Sequence, residues 1–306
     1  MKKTLFIILF ILLFGTIVRP AENNIKANKI PEIQFKGQTF LELDFAPDFR
    51  VYLTKKEYQR YQKEGAEEFT KQINNAINLL SEAKIPYPKE GYFQFVILPQ
   101  GEVFKNISGV PWTYGINGID GWPQALAFDD SRFFNLDPNT YFIGILHEMA
   151  HLVHGNWIEI YPICEGFAEI LPFYFLNLSD EKQQKIALDL TPKEIYSVNT
   201  LIKRGMFLPE EDYKTLGRVQ YLKTYISMYL WMRGYLEIVQ QQYNLSKIDS
   251  LNFVLKEFKK AADAPNLKKQ KKYIAKLIGL NYKKVFNNID LQLIGQKSLR
   301  DSLSEN

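Results

Sequence analysis

The residues His147-Glu148-Met149-Ala150-His151 set two imidazoles four positions apart, with a carboxylate directly after the first. On an α-helix, positions i and i+4 share one face, so both rings can reach a single metal ion while Glu148 points at a metal-bound water. Imidazole nitrogen is a preferred zinc donor, and a catalytic zinc takes three protein ligands and keeps one position open. The chain has three histidines in all. The last of them, His154, stands about 10 Å beyond His147 along a helix axis at 1.5 Å rise per residue, too far to share one ion with both of the others. Near the end of its helix and just before Gly155, it reads as a polar C-terminal residue. The third donor must then be a carboxylate or Cys164. The segment Cys164-Glu165-Gly166-Phe167-Ala168-Glu169 supplies both, and a helix there carries Glu165 and Glu169 on one face.

HEMAH followed by EGFAE resembles the gluzincin zinc metallopeptidases, the superfamily of aminopeptidase N and the thermolysin-like enzymes. The resemblance covers roughly residues 110–290, with specific motifs at 147–151 and 165–169. It implies a zincin-like fold and one zinc ion per chain, held by His147, His151 and Glu165. It further implies peptide-bond hydrolysis with Glu148 activating a zinc-bound water, and Glu169 as the partner behind His147. Downstream, Tyr221-Leu222-Lys223-Thr224 resembles the YxKG signature of the aminopeptidase N family, with Thr224 where glycine is usual. That match casts Tyr221 as a hydrogen-bond donor to the developing oxyanion. The family's GxMEN exopeptidase motif is absent from residues 109–128, which points to an endopeptidase rather than an aminopeptidase. Other zinc folds fit less well. A metzincin needs a later histidine that this chain lacks, and a peptide deformylase takes its cysteine ligand from before the motif, whereas Cys164 follows it. A non-catalytic zinc-binding surface protein would need the three ligands but neither Glu148 nor Tyr221.

Holding these groups requires two adjacent helices and a strand along which a peptide can lie. The helix carrying the motif has a natural start at Asp137-Pro138-Asn139-Thr140. Gln124-Ala125-Leu126-Ala127-Phe128 reads as an edge strand, and Ala125, Leu126, Ala127 and Phe128 are expected to pair with extended substrate. Before residue 138 strands and loops dominate: residues 32–45 alternate as a strand pair, 55–82 read as one long amphipathic helix, and 92–98 as an apolar strand. Beyond it, helical periodicity recurs at 163–177, 191–203, 215–243, 247–262 and 268–286. The expectation is an α+β chain in three parts: a signal peptide or N-terminal anchor at 1–21, an α+β subdomain at 22–137 and a helical subdomain at 138–306. The edge strand is expected beside the active-site helix.

Composition narrows the setting. At 306 residues with 46% hydrophobic and 24% charged, the chain is of ordinary globular type and long enough to bury a large core. Met1-Lys2-Lys3 followed by the apolar run 4–18 matches a secretory leader and is short for a spanning helix. The body is therefore expected outside the cytoplasm, released or anchored. The net charge of +4 includes Lys2, Lys3 and Arg19, so loss of the leader leaves 35 basic against 34 acidic residues and no global reason for a nucleic-acid partner. A peptide or protein is the expected partner. One cysteine, Cys164, allows no internal disulfide. Residues 256–284 hold ten lysines against Glu257 and Asp263, read first as solvated helix faces and second as a membrane-surface or cell-wall contact, the N-terminal segment being the other route to a membrane surface.

Overall fold

A computed structural model describes residues 30–35, 38–46, 49–85, 93–98, 126–129, 133–134, 138–154, 160–176, 181–204 and 210–304. The signal peptide or N-terminal anchor expected at 1–21 lies outside these residues. Among the described residues no helix is long and apolar enough to cross a membrane.

The chain mixes strand and helix and is mostly helical. In order the elements are β1 (Glu32–Phe35), β2 (Gln38–Ala46), β3 (Phe49–Thr54), α1 (Lys55–Glu64), α2 (Glu67–Glu82), β4 (Phe93–Leu98) and β5 (Leu126–Asp129). They are followed by α3 (Pro138–His154), α4 (Tyr161–Ile170) with a π-helical turn at Leu171–Phe175, α5 (Glu181–Asp189), α6 (Val198–Arg204) and α7 (Glu210–Tyr243). The chain ends with α8 (Lys247–Ala262), α9 (Leu267–Leu277), α10 (Tyr282–Asn287) and α11 (Asp290–Ser304).

The five strands form one sheet in the order β1-β2-β3-β4-β5. The first two pairings are antiparallel, and β3–β4 and β4–β5 are parallel. A parallel pair needs a crossover, and α1 and α2 supply it between β3 and β4. Strand alternation sends Phe49, Val51 and Leu53 of β3 and Phe95 and Ile97 of β4 to one face. There they join a single buried cluster with Phe69, Ile73 and Ile77 of α2, whose 3–4 residue spacing makes one apolar stripe. Phe69 meets Phe95 edge-on with ring centroids 5.6 Å apart.

The same cluster continues through α3, α4 and α7, all within the compact unit Glu32–Asn306. Helix α2 packs on α3, α3 on α4, α4 on α7, and α7 along α11. Between the sheet-side helix α2 and the long α7, the site helices α3 and α4 are held from both sides. At the α4–α7 contact, a Cβ on Gly166 would lie 2.7 Å from the Met228 carbonyl oxygen, so only glycine lets the two backbones approach this closely.

Several helical expectations are corrected. The long helix expected at 55–82 is two helices, because Gly65 adopts φ 70° and its N–H closes on the Tyr61 carbonyl. Thr54 caps the first of them, with Glu57 completing a capping box. The span 268–286 is likewise divided, at Gly279 with φ 67°. The helix expected from 191 begins at Val198, since Thr191 and Glu194 instead close a turn through the Glu194 carboxylate. Helices α5 and α11 were not anticipated. β5 is an edge strand of the sheet, as expected, paired among the described residues with β4 alone.

Candidate metal centre

Helix α3 divides its faces cleanly. Ile145, Leu146, Met149 and Ala150 are buried in the core, while His147 and His151 face Glu165 of α4 and the buried Glu148 carboxylate lies beside His151. Helix α4 does the same with Ile163, Phe167, Ala168 and Ile170 inward and Glu165 and Glu169 toward α3. Pro162 at the start of α4 costs no backbone hydrogen bond there and pre-sets the helical φ.

The Nε2 atoms of His147 and His151 lie 3.3 Å apart. Glu165 spans them, with Oε2 at 3.5 Å from His147 Nε2 and Oε1 at 3.4 Å from His151 Nε2. One donor atom from each of these three residues falls within 4.8 Å of the others, close enough for one metal ion to take all three. It is the one such group among the described residues. Behind it, His147 Nδ1 faces Glu169 Oε1 at 3.3 Å. A carboxylate on the far ring nitrogen fixes tautomer and orientation, leaving Nε2 directed at the ligand position. The Glu148 carboxylate stands 3.9 Å from His151 Nε2.

Electrostatics fit a cation at this point. Glu165, Glu148 and Glu169 are at least nine-tenths buried at the residue level. Three carboxylates in so enclosed a place are costly unless positive charge balances them. In the metal-free protein His147 provides some. Burial disfavours its charged form, but hydrogen bonds to Glu165 and Glu169 outweigh that and hold its pKa well above the ordinary value. His151 behaves oppositely: burial pushes it down to about 4, against a smaller upward pull from Glu165.

Cys164, the sequence's alternative third donor, lies outside the group of three and is a buried thiol in no disulfide, its pKa pushed up by burial and by the adjacent Glu165 charge. Tyr221 belongs to α7, with its side chain outside the described residues. Ala125 is also outside them, while Leu126, Ala127 and Phe128 form most of β5, with side chains outside the description. The side chain of His154, the last residue of α3, lies outside it too.

A cavity that the sequence did not suggest opens beside Glu169, walled by Phe173, Gln183, Gln184, Tyr225, Ile226 and Tyr229. Tyr225 and Tyr229 belong to α7, one turn apart. Gln183 and Gln184 belong to α5, whose polar sequence carries little periodic signal. The π-helical turn after α4 widens the backbone where Pro172 lacks an N–H, and Phe173 within it meets Tyr229 edge-on at 6.1 Å. No family model matches the chain, and no curated protein does.

Proposed function

We propose that the protein is a zinc-dependent metallopeptidase of gluzincin type, with a zincin-like arrangement of α3, α4 and the sheet. The observation carrying this reading is the ligand triangle on two packed helices, with a carboxylate beside it that is not needed as a ligand. Ligands of a tetrahedral ion bonded at ~2.0–2.1 Å are about 3.3 Å apart. The two Nε2 atoms, 3.3 Å apart, suit that spacing, and Glu165 sets one oxygen against each ring, at 3.5 and 3.4 Å, so that one donor atom from each residue falls within 4.8 Å of the others. Two imidazoles and one carboxylate are also a known catalytic zinc donor set that leaves a fourth position open.

Bound there, zinc supplies Lewis acidity toward a peptide carbonyl and toward water. The chain's own residues do the rest. Glu148 takes the proton of the attacking water and returns it to the leaving amine, serving first as base and then as acid. Glu169 holds His147 in register. Tyr221 donates to the developing oxyanion, and β5 holds the extended substrate by strand pairing. Export, with the body released or anchored, follows from the leader-like N-terminus.

The test is a mixed peptide library incubated with the zinc-loaded full chain, with products mapped by mass spectrometry. Internal, chelator-sensitive cleavage is expected. Release of single N-terminal residues as the main product would instead make it an aminopeptidase of the same superfamily. Tight zinc binding without cleavage of any peptide would favour a non-catalytic zinc-binding surface protein.

A further inference from the structure

The outer faces of α8, α9 and α10 carry lysine almost alone. In α8, Lys256, Lys259 and Lys260 are exposed at helical spacing, opposite the buried Leu251, Val254, Leu255 and Phe258. In α9, Lys268, Lys269, Lys272 and Lys276 are exposed, opposite Ile274 and Ala275, and α10 adds Lys283 and Lys284 outside Val285 and Phe286. Helix α9 packs on both α8 and α10, which joins the three lysine faces into one region. Two of the ten lysines of residues 256–284 have close polar partners among the described residues: Lys260 with Glu257 at 2.6 Å, and Lys271, half-buried, with Asn199 at 2.5 Å. None of the other eight forms an ion pair within 4 Å among the described residues.

The charge is strongly polarised. Residues 256–284 hold ten lysines against Glu257 and Asp263, a net of +8, while the whole chain is +4, so the other 277 residues sum to −4. Such a molecule is drawn to a negative surface by one side and turned away by the rest.

We propose that this lysine face seats the protein on an anionic lipid bilayer. The residue type favours a bilayer over a nucleic acid or another polymeric anion. The segment contains no arginine, the residue that reads phosphate through a bidentate fork, whereas lysine acts as a hydrated point charge suited to a diffuse negative surface. Of its three aromatics Phe258 is buried, and Tyr273 and Tyr282 are half-buried and pack against the core, the Tyr273 hydroxyl also donating to Glu257 at 2.6 Å, so none stands out as a platform for base stacking. The apolar run at 4–18, in its anchored form, would also hold the body next to a bilayer.

The test uses the full chain with phosphatidylcholine vesicles, neutral or with a third of the lipid as phosphatidylglycerol, read by co-sedimentation. The apolar run is common to every variant and is indifferent to headgroup charge, so the reading is the anionic-over-neutral preference. That preference should collapse near 1 M salt, where the Debye length is about 3 Å. Replacing Lys268, Lys269, Lys272 and Lys276 by Gln should weaken anionic-vesicle binding by about 10²-fold, at roughly fivefold per lysine less screening. These side chains are exposed, so the variant's melting curve should match wild type. The same change at the exposed Lys55, Lys56, Lys63 and Lys193 should cost less than about threefold. Equal losses in both quadruple variants would reduce the effect to net charge and overturn the proposal. So would equal binding to neutral vesicles. Retention on single-stranded DNA or polyphosphate without vesicle binding at low salt would assign the face to a polymeric anion.

Discussion

In the proposed reading Glu148 and the three ligand residues His147, His151 and Glu165 make separable demands on one site. Glu148→Gln keeps size and hydrogen bonding, so zinc content should stay at one per chain while peptide turnover falls by ~10² to 10⁴, the range of a lost general base. Glu165→Ala should instead lose zinc, and retention of stoichiometric metal with unchanged affinity would remove Glu165 from the centre. Protons report on the site independently of activity. His147 is raised well above its ordinary value by Glu165 and Glu169, whereas His151, pushed down to about 4, is already neutral at pH 7. Zinc needs both rings deprotonated at Nε2, so metal binding at pH 7 should release close to one proton, taken from His147. Calorimetry in buffers of different ionisation enthalpy measures this, and a buffer-independent heat would contradict it. In the metal-free fold the two rings pull stability in opposite directions. The raised His147 contributes stability that is full below about pH 6.5 and is lost as pH rises through its folded value. The depressed His151 costs stability as pH falls from about 6.5 toward 4. The grouping of His147, His151 and Glu165 was legible because histidine is scarce here and i, i+4 spacing is rigid. The cavity beside Glu169 was not, because Gln183 and Tyr225 lie on elements whose meeting depends on tertiary packing.

Helix crossings set the position of those side chains, and glycine decides two of them. A Cβ on Gly234 of α7 would lie 1.9 Å from the Leu291 carbonyl oxygen, and one on Gly295 of α11 2.1 Å from that of Leu230. Both obstacles are backbone, so a methyl there must push the helices apart. Gly234→Ala should therefore cost on the order of 3 kcal/mol or more in denaturant unfolding, in the upper range for overpacking. Gly144→Ala, on α3 itself, meets nothing within 4 Å and should be neutral or add up to ~1 kcal/mol through helix propensity. If the two variants unfold at the same denaturant concentration, the α7–α11 crossing is not as close as described. Side-chain bonds reinforce this crossing: Arg233 of α7 donates to Ser298 and Ser302 of α11, and Gln296 reaches the Leu190 carbonyl beyond α5 at 2.9 Å. None of this was readable in advance. Helix α11 was missed because its apolar positions are few, and its docking rests on a glycine pair 61 positions apart. Breaks at Gly65 and Gly279 were equally hidden, since glycine inside a periodic stretch marks a stop only when the next turn has a better partner.

At the scale of the molecule, the alternation of patterns near residue 138 was enough to expect strands first and helices after. It could not reveal that one buried cluster runs from Phe49 through Ile145 and Phe167 to Leu299. Continuity of the core means that metal bound between α3 and α4 stabilises the unit as a whole. An ion that binds the folded state alone adds RT ln(1 + [L]/Kd), about 2.7 kcal/mol at free metal 100 times Kd. For a unit of 275 residues, Glu32–Asn306, unfolding entropy near 2.1 cal/mol/K per residue converts that to about 5 °C. Removing zinc with a chelator should accordingly lower Tm by about 5 °C in a single cooperative transition, and readdition should restore it. Glu148→Gln should show the full shift, because its carboxylate is not a ligand in this reading. His147→Ala should show none, since its metal-free form already lacks the coupling. A chelator-insensitive wild type would reduce His147, His151 and Glu165 to an internal ion-pair cluster. Two separate transitions, with only one responding to zinc, would instead mean that sheet and helices unfold independently despite their shared core.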